Sequence, residues 1–271
     1  MGEEQVLGWT KIVNALLGKP VAALLALLHV KPENADFPIS NAFAMELLVV
    51  LIGVLFFLWL KGRISADRPG ATQQVMELVI TNPMGVGVKD LVDDIVGHGA
   101  ERHIPILGTI GLFILMSNML GLVPGLMSPT AERTVPLGCA VIVFLYYNRF
   151  GIGKHGPVGY AKTLMGPVPA ISPIMVIVET ISHFARLLSL TVRLWANMMV
   201  SELIYVSFLG LSLALFLFLG HWNPVGYVSA VVPIAIPLVL ALFHVFEAVL
   251  QAFIFTILAI VYLNLATAEE H

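Results

Sequence analysis

Charge is scarce in this sequence. Asp, Glu, Lys and Arg make up 11% of its 271 residues, while 58% are hydrophobic. Soluble chains carry about 25% charged residues. A water-soluble fold of this size could not hide so much apolar surface, so lipid is the expected solvent for much of it. An excess of basic residues is also missing: the formal net charge is -3, which gives no pointer to nucleic acid. Cysteine is nearly absent. Cys139 stands alone in an apolar run; one thiol makes neither an internal disulfide nor a metal cluster, and it is expected to be buried and inert. No glycine-rich nucleotide loop is present. The N-terminus lacks the marks of a leader, opening with Glu3 and Glu4 and carrying Lys19-Pro20 inside its apolar stretch. Only 21–30 is uninterrupted there, too short to span. Residues 1–41 are expected to form an external or interfacial segment with a short surface helix, and 42–271 a single membrane domain.

What is present is a set of long apolar runs. A spanning helix needs about 20 mostly apolar residues. The first is 42–60, interrupted only by Glu46, and the second is 104–123. Between them, 70–94 mixes apolar and charged positions and reads as one or two amphipathic helices, broken at Asn82-Pro83. The segment 124–136, rich in Pro, Gly and Ser, reads as a turn. A third span, 137–147, is slightly short, and 148–169 is punctuated by glycine and proline. Two further helical stretches, 172–219 and 227–266, are far longer than a bilayer is thick at about 1.5 Å per residue. They must tilt or break, with Gly210 a candidate break in one and Pro233 and Pro237 candidate bends in the other. The expected fold is all-α and polytopic, with five or six membrane helices, the last two forming a long, strongly tilted hairpin over 172–266.

Lysines and arginines suggest the orientation. Lys61, Arg63, Arg68, Lys89, Arg102, Arg149, Lys154 and Lys162 lie in 61–103 and 148–170, whereas Lys11, Lys19, Lys31 and Arg133 lie in the N-terminal segment and 124–136. The first group is expected on the cytoplasmic side, which puts the N-terminus outside. An odd number of crossings then leaves Glu269, Glu270 and His271 in the cytoplasm.

Ionisable side chains inside spans are rare and usually functional. Here they gather in the last two helices: Glu179, His183, Arg186, Arg193, Glu202, His244 and Glu247. Glu179, Arg186 and Arg193 are seven residues apart and share a stripe. Ser189 and Asn197 lie four residues either side of Arg193 on that stripe. Glu202, nine residues on, faces elsewhere. His244 and Gln251 share a face of the final helix, with Glu247 adjacent. Polar groups on two sides of Arg193 suggest two wet paths separated by a cation. Arginine suits a barrier because it does not lose its proton in proteins, yet its field favours the ionised form of an opposing acid. Arg186 with Glu179 reads equally as a structural ion pair, His183 as a hydrogen-bonded helix-contact residue, and Glu247 as either path or packing. Arg193 has no acid three or four residues away, so its partner is expected on another helix or another chain.

The run Ser189-Leu-Thr-Val-Arg193-Leu-Trp-Ala-Asn197-Met-Met-Val-Ser-Glu202-Leu resembles subunit a of the F-type rotary ATP synthase. That family has an arginine, an asparagine four residues later and an acid or histidine five beyond. His244-Val-Phe-Glu-Ala-Val-Leu-Gln251-Ala-Phe-Ile-Phe255 is a second matching block, and Asn118-Met-Leu-Gly-Leu-Val-Pro124-Gly a third. The resemblance runs from about residue 39 to the end of the chain.

It implies a non-catalytic proton-channel stator in a bacterial inner membrane, partnered by lipid, a rotating c-ring and the b-subunit peripheral stalk, with protons as cargo, no cofactor and no nucleic acid. Arg193 would face the ring carboxylates. Glu202 and His244 would line the half-channel from outside, Asn197 and Gln251 would position the arginine or its waters, and Ser189 and Glu179 would lie toward the cytoplasmic exit. Two departures stand out. Glu247 occupies a position apolar in many relatives and would add a second acid to the outer path; Gly121 stands where some relatives carry an acid. The competing class is a secondary transporter binding an anionic substrate at Arg193, which predicts pseudo-symmetric halves.

Overall fold

The computed structural model describes residues 6–27, 29, 31, 34, 36–65, 69–81, 87–97, 100–163, 165, 172–222 and 231–267. Among the described residues eight α-helices follow in order: α1 Gly8–Leu27, α2 Asn41–Lys61, α3 Ala71–Ile80, α4 Val88–Val96, α5 Ile104–Leu120, α6 Thr134–Thr163, α7 Ser172–Trp222 and α8 Val231–Thr267. Short 3-10 turns cover Ala100–His103 and Pro129–Ala131. Among the described residues there is no strand. Six helices (α1, α2 and α5–α8) are long and apolar enough to cross a membrane, and large apolar side chains lie exposed along them, as a lipid solvent requires.

Two compact units contain these helices. The first comprises Met1–Phe56, Leu115–Glu132 and Ala196–Val249; the second comprises Phe57–Ile114, Arg133–Trp195 and Leu250–His271.

In the first unit α1 is longer than the sequence suggests. It runs through Lys19-Pro20 without a break and is a full 20 residues long, not the short helix expected from 21–30. Pro20 forfeits a backbone hydrogen bond and crowds the preceding turn, at about 3 kcal/mol. Tertiary contacts offset this. Val13 packs with Ile39 and Ala44, flanked by Trp9, Val21 and Leu47. Trp9 Nε1 donates to the Ala44 carbonyl at 2.8 Å. The Asn14 amide closes a reciprocal pair, Nδ2 donating to Ile39 O at 3.0 Å and Oδ1 accepting from Ile39 N at 3.0 Å. Replacing Asn14 by alanine is expected to loosen α1 from the start of α2 by about 1–3 kcal/mol, two hydrogen bonds' worth. Hydrogen exchange should quicken across 8–40 and nowhere else; unchanged protection there would refute this.

In the second unit the two amphipathic helices appear as α3 and α4; the break expected at Asn82-Pro83 lies outside the described residues. The third span is not the short 137–147. Helix α6 starts at Thr134 and continues to Thr163, with non-helical geometry only at Gly156, φ 71°. The physical reason is Gly156-Pro157. Proline disfavours the helical region for its predecessor, glycine accepts a positive φ at no steric cost, and Pro157 suits the first turn of a new helical segment. The segment expected as a loop from 148 is therefore mostly helix, and Arg149, Lys154 and Lys162 are helix residues. At its start, α5 is tied to α6 by His103 Nδ1 and the Tyr146 hydroxyl at 2.7 Å.

Helix α7 is 51 residues long and passes Gly210 unbroken; α8 is 37 residues long and continues through Pro237. At about 1.5 Å per residue they measure about 76 and 56 Å, against about 30 Å of bilayer hydrocarbon. Neither fits within the hydrocarbon along the membrane normal. Helix α7 includes 220–222, where a loop is expected; 223–230 lie outside the described residues. The two long helices are neighbours in each unit, through Ser201 and His244 in the first and Arg186 and Tyr262 in the second.

Candidate functional site

The first unit gathers Glu202 of α7 and His244 of α8 around the end of α5 and the following turn. His244 is 1% exposed. Its Nε2 lies 3.2 Å from the Asn118 carbonyl and its Nδ1 2.9 Å from Ser201 Oγ. A carbonyl only accepts, so the hydrogen is on Nε2, and Nδ1 accepts from the serine hydroxyl. The ring is held in one tautomer. Ser201 can reverse its hydroxyl, which gives His244 a route to gain a proton at Nδ1 without moving.

Glu202 is half-buried. The Ser128 backbone N–H reaches both carboxylate oxygens, each at 3.2 Å. Ser128 is held by its own side chain: Oγ donates to the Ser117 carbonyl at 3.0 Å and lies 2.7 Å from Thr130 Oγ1. Thr130 donates to Asn118 Oδ1 at 2.5 Å, and Asn118 Nδ2 donates to Ala248 O at 3.3 Å. A polar network thus joins the two expected proton-exchanging side chains through residues that are themselves fully buried: Asn118, Ser128 and Thr130. Tyr205 adds a hydroxyl bond to Leu122 O at 3.4 Å and a ring 6.2 Å from His244.

Gly121 leaves room for the carboxylate. A Cβ there would meet Ser128 Cβ at 3.1 Å and Glu202 Oε2 at 3.3 Å. The missing side chain at Gly121 thus leaves the space in which Glu202 sits. Gly121→Ala is expected to push the carboxylate off the Ser128 amide and slow proton flux on the order of tenfold, the loss of one charge-assisted bond. Wild-type flux in that variant would count against this seat. Glu247 is half-buried and makes no hydrogen bond or ion pair with the described residues. Asn197 is exposed.

The second unit holds Arg193, Ser189, Glu179 and Gln251. Glu179 accepts from Arg186 Nη2 at 3.1 Å, so the ion pair weighed from the spacing is formed, and the Arg186 guanidinium also lies 5.7 Å from the Tyr262 ring. Gln251 is 1% exposed. Ser189 is exposed and Arg193 half-exposed. Among the described residues Arg193 makes no hydrogen bond and no ion pair. Its own helix face is open: Ser189 and Asn197, one turn away on either side, are exposed, as are Leu188, Val192 and Leu203 nearby. An uncompensated guanidinium in an apolar helix is costly, and this one faces outward.

Sequence reasoning singled out the acids, the histidine and the arginine, and quoted Asn118 only as part of a motif. It missed Ser201, Ser128, Thr130 and Tyr205. Hydroxyls carry no intrinsic signal of rarity, and the 124–136 turn gave no hint that a backbone N–H from it would cap a carboxylate 74 positions away. For Ser201 a signal existed, its place beside Glu202 in the matching run.

A family model described as ATP synthase A chain matches residues 43–264. ATP synthase subunit a of Koribacter versatilis is 38% identical over 265 residues, covering 98% of this chain and 98% of that protein. ATP synthase subunit a of Solibacter usitatus is 38% identical over 249 residues, covering 92% and 95%. The subunit of that name from Geotalea uraniireducens is 35% identical over 248 residues, covering 92% and 94%. Nothing in these matches supports a transporter of anionic substrates.

Proposed function

The chain belongs to the ATP synthase subunit a family, the proton-channel stator of the F-type enzyme, and from that membership we propose how its residues divide the task. It is a multi-pass membrane subunit working within the ATP synthase complex. In our reading it performs no covalent chemistry and moves protons along two offset half-channels to turn a ring of partner subunits.

A proton from outside reaches Glu202 and His244, with Glu247 as a further acid on that path. It neutralises a carboxylate on the ring. The neutral acid can move into lipid, where the charged form would be too costly. After a circuit the carboxylate meets the second path and then Arg193, whose permanent charge favours proton release toward the cytoplasm through Ser189 and Glu179. Asn197 and Gln251 position the guanidinium and its waters. The driving force is the membrane potential, about 2.3 kcal/mol per charge per 100 mV, together with any pH difference. The c-ring and the b-subunit peripheral stalk are the partners, the bacterial inner membrane the location, with the N-terminus outside and the C-terminus cytoplasmic.

The observation that carries this reading is Arg193: a cation that cannot be discharged, on an open helix face, without a counter-charge among the described residues of its own chain. A tag on this chain should retrieve a membrane sector containing an oligomeric ring of small helical hairpins. Retrieval of the chain without any such ring, in a form that still moves ions, would refute the proposal.

A further inference from the structure

Helix α7 in the second unit carries a histidine that the scheme above leaves idle. His183 lies one turn after Glu179, with Nδ1 3.5 Å from Glu179 Oε1. That is longer than a good N–H···O bond, and Nδ1 is a buried atom with no hydrogen-bond partner. The other ring nitrogen, Nε2, is 3.3 Å from the Tyr160 hydroxyl. Tyr160 donates its single proton to Asn148 Oδ1 at 2.9 Å, so toward Nε2 it offers only lone pairs. The ring hydrogen therefore sits on Nε2.

In that tautomer Nδ1 is a bare acceptor, and it faces another acceptor, a carboxylate oxygen. Buried polar atoms are nearly always partnered. Oε1 already accepts from Arg186 Nη2, so the atom without a partner is Nδ1, and a proton placed between Nδ1 and Oε1 would supply one. Arg186 holds the same carboxylate oxygen, Nη2 to Oε1 at 3.1 Å. Among the described residues the other ring neighbours are uncharged: Tyr147 stands edge-on with ring centroids 6.0 Å apart, and Tyr262 packs on Tyr147 and Arg186. Side-chain exposure rises from 15% at His183 to 30% at Glu179, so Glu179 is the open end of the pair.

We propose that His183 is a proton carrier of the inner path. A proton reaching the pair enters at the more exposed Glu179 carboxylate; the O–H bond breaks as an N–H bond forms at Nδ1, and on release the N–H bond breaks as the O–H bond re-forms on Glu179, which gives the proton to water. ATP-driven pumping runs the same transfers backwards. The proposal rests on the translocation reading above and adds a residue to it.

The test uses the assembled complex in inverted membrane vesicles. His183→Gln keeps an N–H donor for Tyr160 and cannot carry a proton. ATP-driven proton uptake is expected to fall on the order of tenfold, short of the roughly 10²–10⁴ that a positioned acid–base group contributes to a chemical step, because water shares the path. In His183→Ala, added imidazole should restore part of the rate, whereas pyrazole, of the same shape but scarcely basic, should not. Tyr160→Phe frees Nε2 from its acceptor and is expected to shift the pH profile of uptake. Uptake by His183→Gln equal to that of the unsubstituted complex, or equal rescue by the two azoles, overturns the proposal, as does an unshifted profile in Tyr160→Phe. Arg193→Ala is measured in parallel. Uptake lost there but intact in His183→Gln removes only the role of His183; uptake retained in Arg193→Ala removes the translocation reading itself.

Discussion

Replacing Arg193 by alanine is expected to abolish coupled proton transport while the membrane sector still assembles. The guanidinium keeps its charge at any physiological pH, and unlike that of Arg186 it has no ion pair among the described residues. It lies in an apolar helix where such a charge is expensive, and no described residue of the chain neutralises it. In the proposed function its counter-charge in the working complex comes from the ring. Removing one partner of a desolvated charge pair costs about 3–5 kcal/mol, which corresponds to a loss on the order of 10²–10⁴ in coupled flux. The barrier goes as well, so passive leak through the sector should persist or rise even as ATP-driven pumping disappears. Measuring both fluxes on the same vesicles separates these effects. Lysine at this position restores a charge but not one that is safe: a buried ammonium can shed its proton, so Arg193→Lys is expected to pump poorly too. ATP-driven pumping retained by Arg193→Ala would sink the account.

Glu202→Gln should slow transport without stopping it. The glutamine side-chain oxygen can still accept from the Ser128 N–H that now holds the carboxylate at 3.2 Å, so the local fold and assembly should survive. What is lost is the ability to take and give a proton. A positioned acid–base group typically contributes about 10²–10⁴-fold, but in the proposed function His244, with its hydroxyl partner Ser201 at 2.9 Å, and Glu247 share that path. A decrease of about tenfold at neutral pH is the expected result, measured as the initial rate of ATP-driven uptake. If the rate were unchanged, Glu202 would be a structural acceptor for the turn at Ser128 and no part of the outer path.

Much of this was legible in the sequence because charge in lipid is loud. Arg193, Glu202 and His244 announce themselves by being ionisable in runs that are otherwise apolar, and helical periodicity alone assigns them to faces. The over-long helices were equally plain, since length follows from counting apolar residues. Helix continuity was harder. Lys19-Pro20 looks like a break, but a helix end is decided by what its neighbours supply, and the packing of Val13 with Ile39 and Ala44 carries α1 through it. In the same way 148–163 reads as a loop from its glycines, yet only Gly156 departs from helical geometry. Least visible were the groups that seat the acids. Ser128 contributes a backbone N–H, Gly121 contributes the absence of a Cβ, and neither leaves a mark on composition or period.

The central claim is that the guanidinium of Arg193 is answered by an acid on a separate, moving subunit. A density map of the complete membrane sector, detailed enough to place side chains, tests it directly. It should show a ring of small helices against the open face of α7 and a ring carboxylate within about 4–6 Å of Arg193, the range over which an opposite charge governs ionisation. A map in which Arg193 is paired with a fixed acid of its own polypeptide, with no ring beside it, would contradict the account.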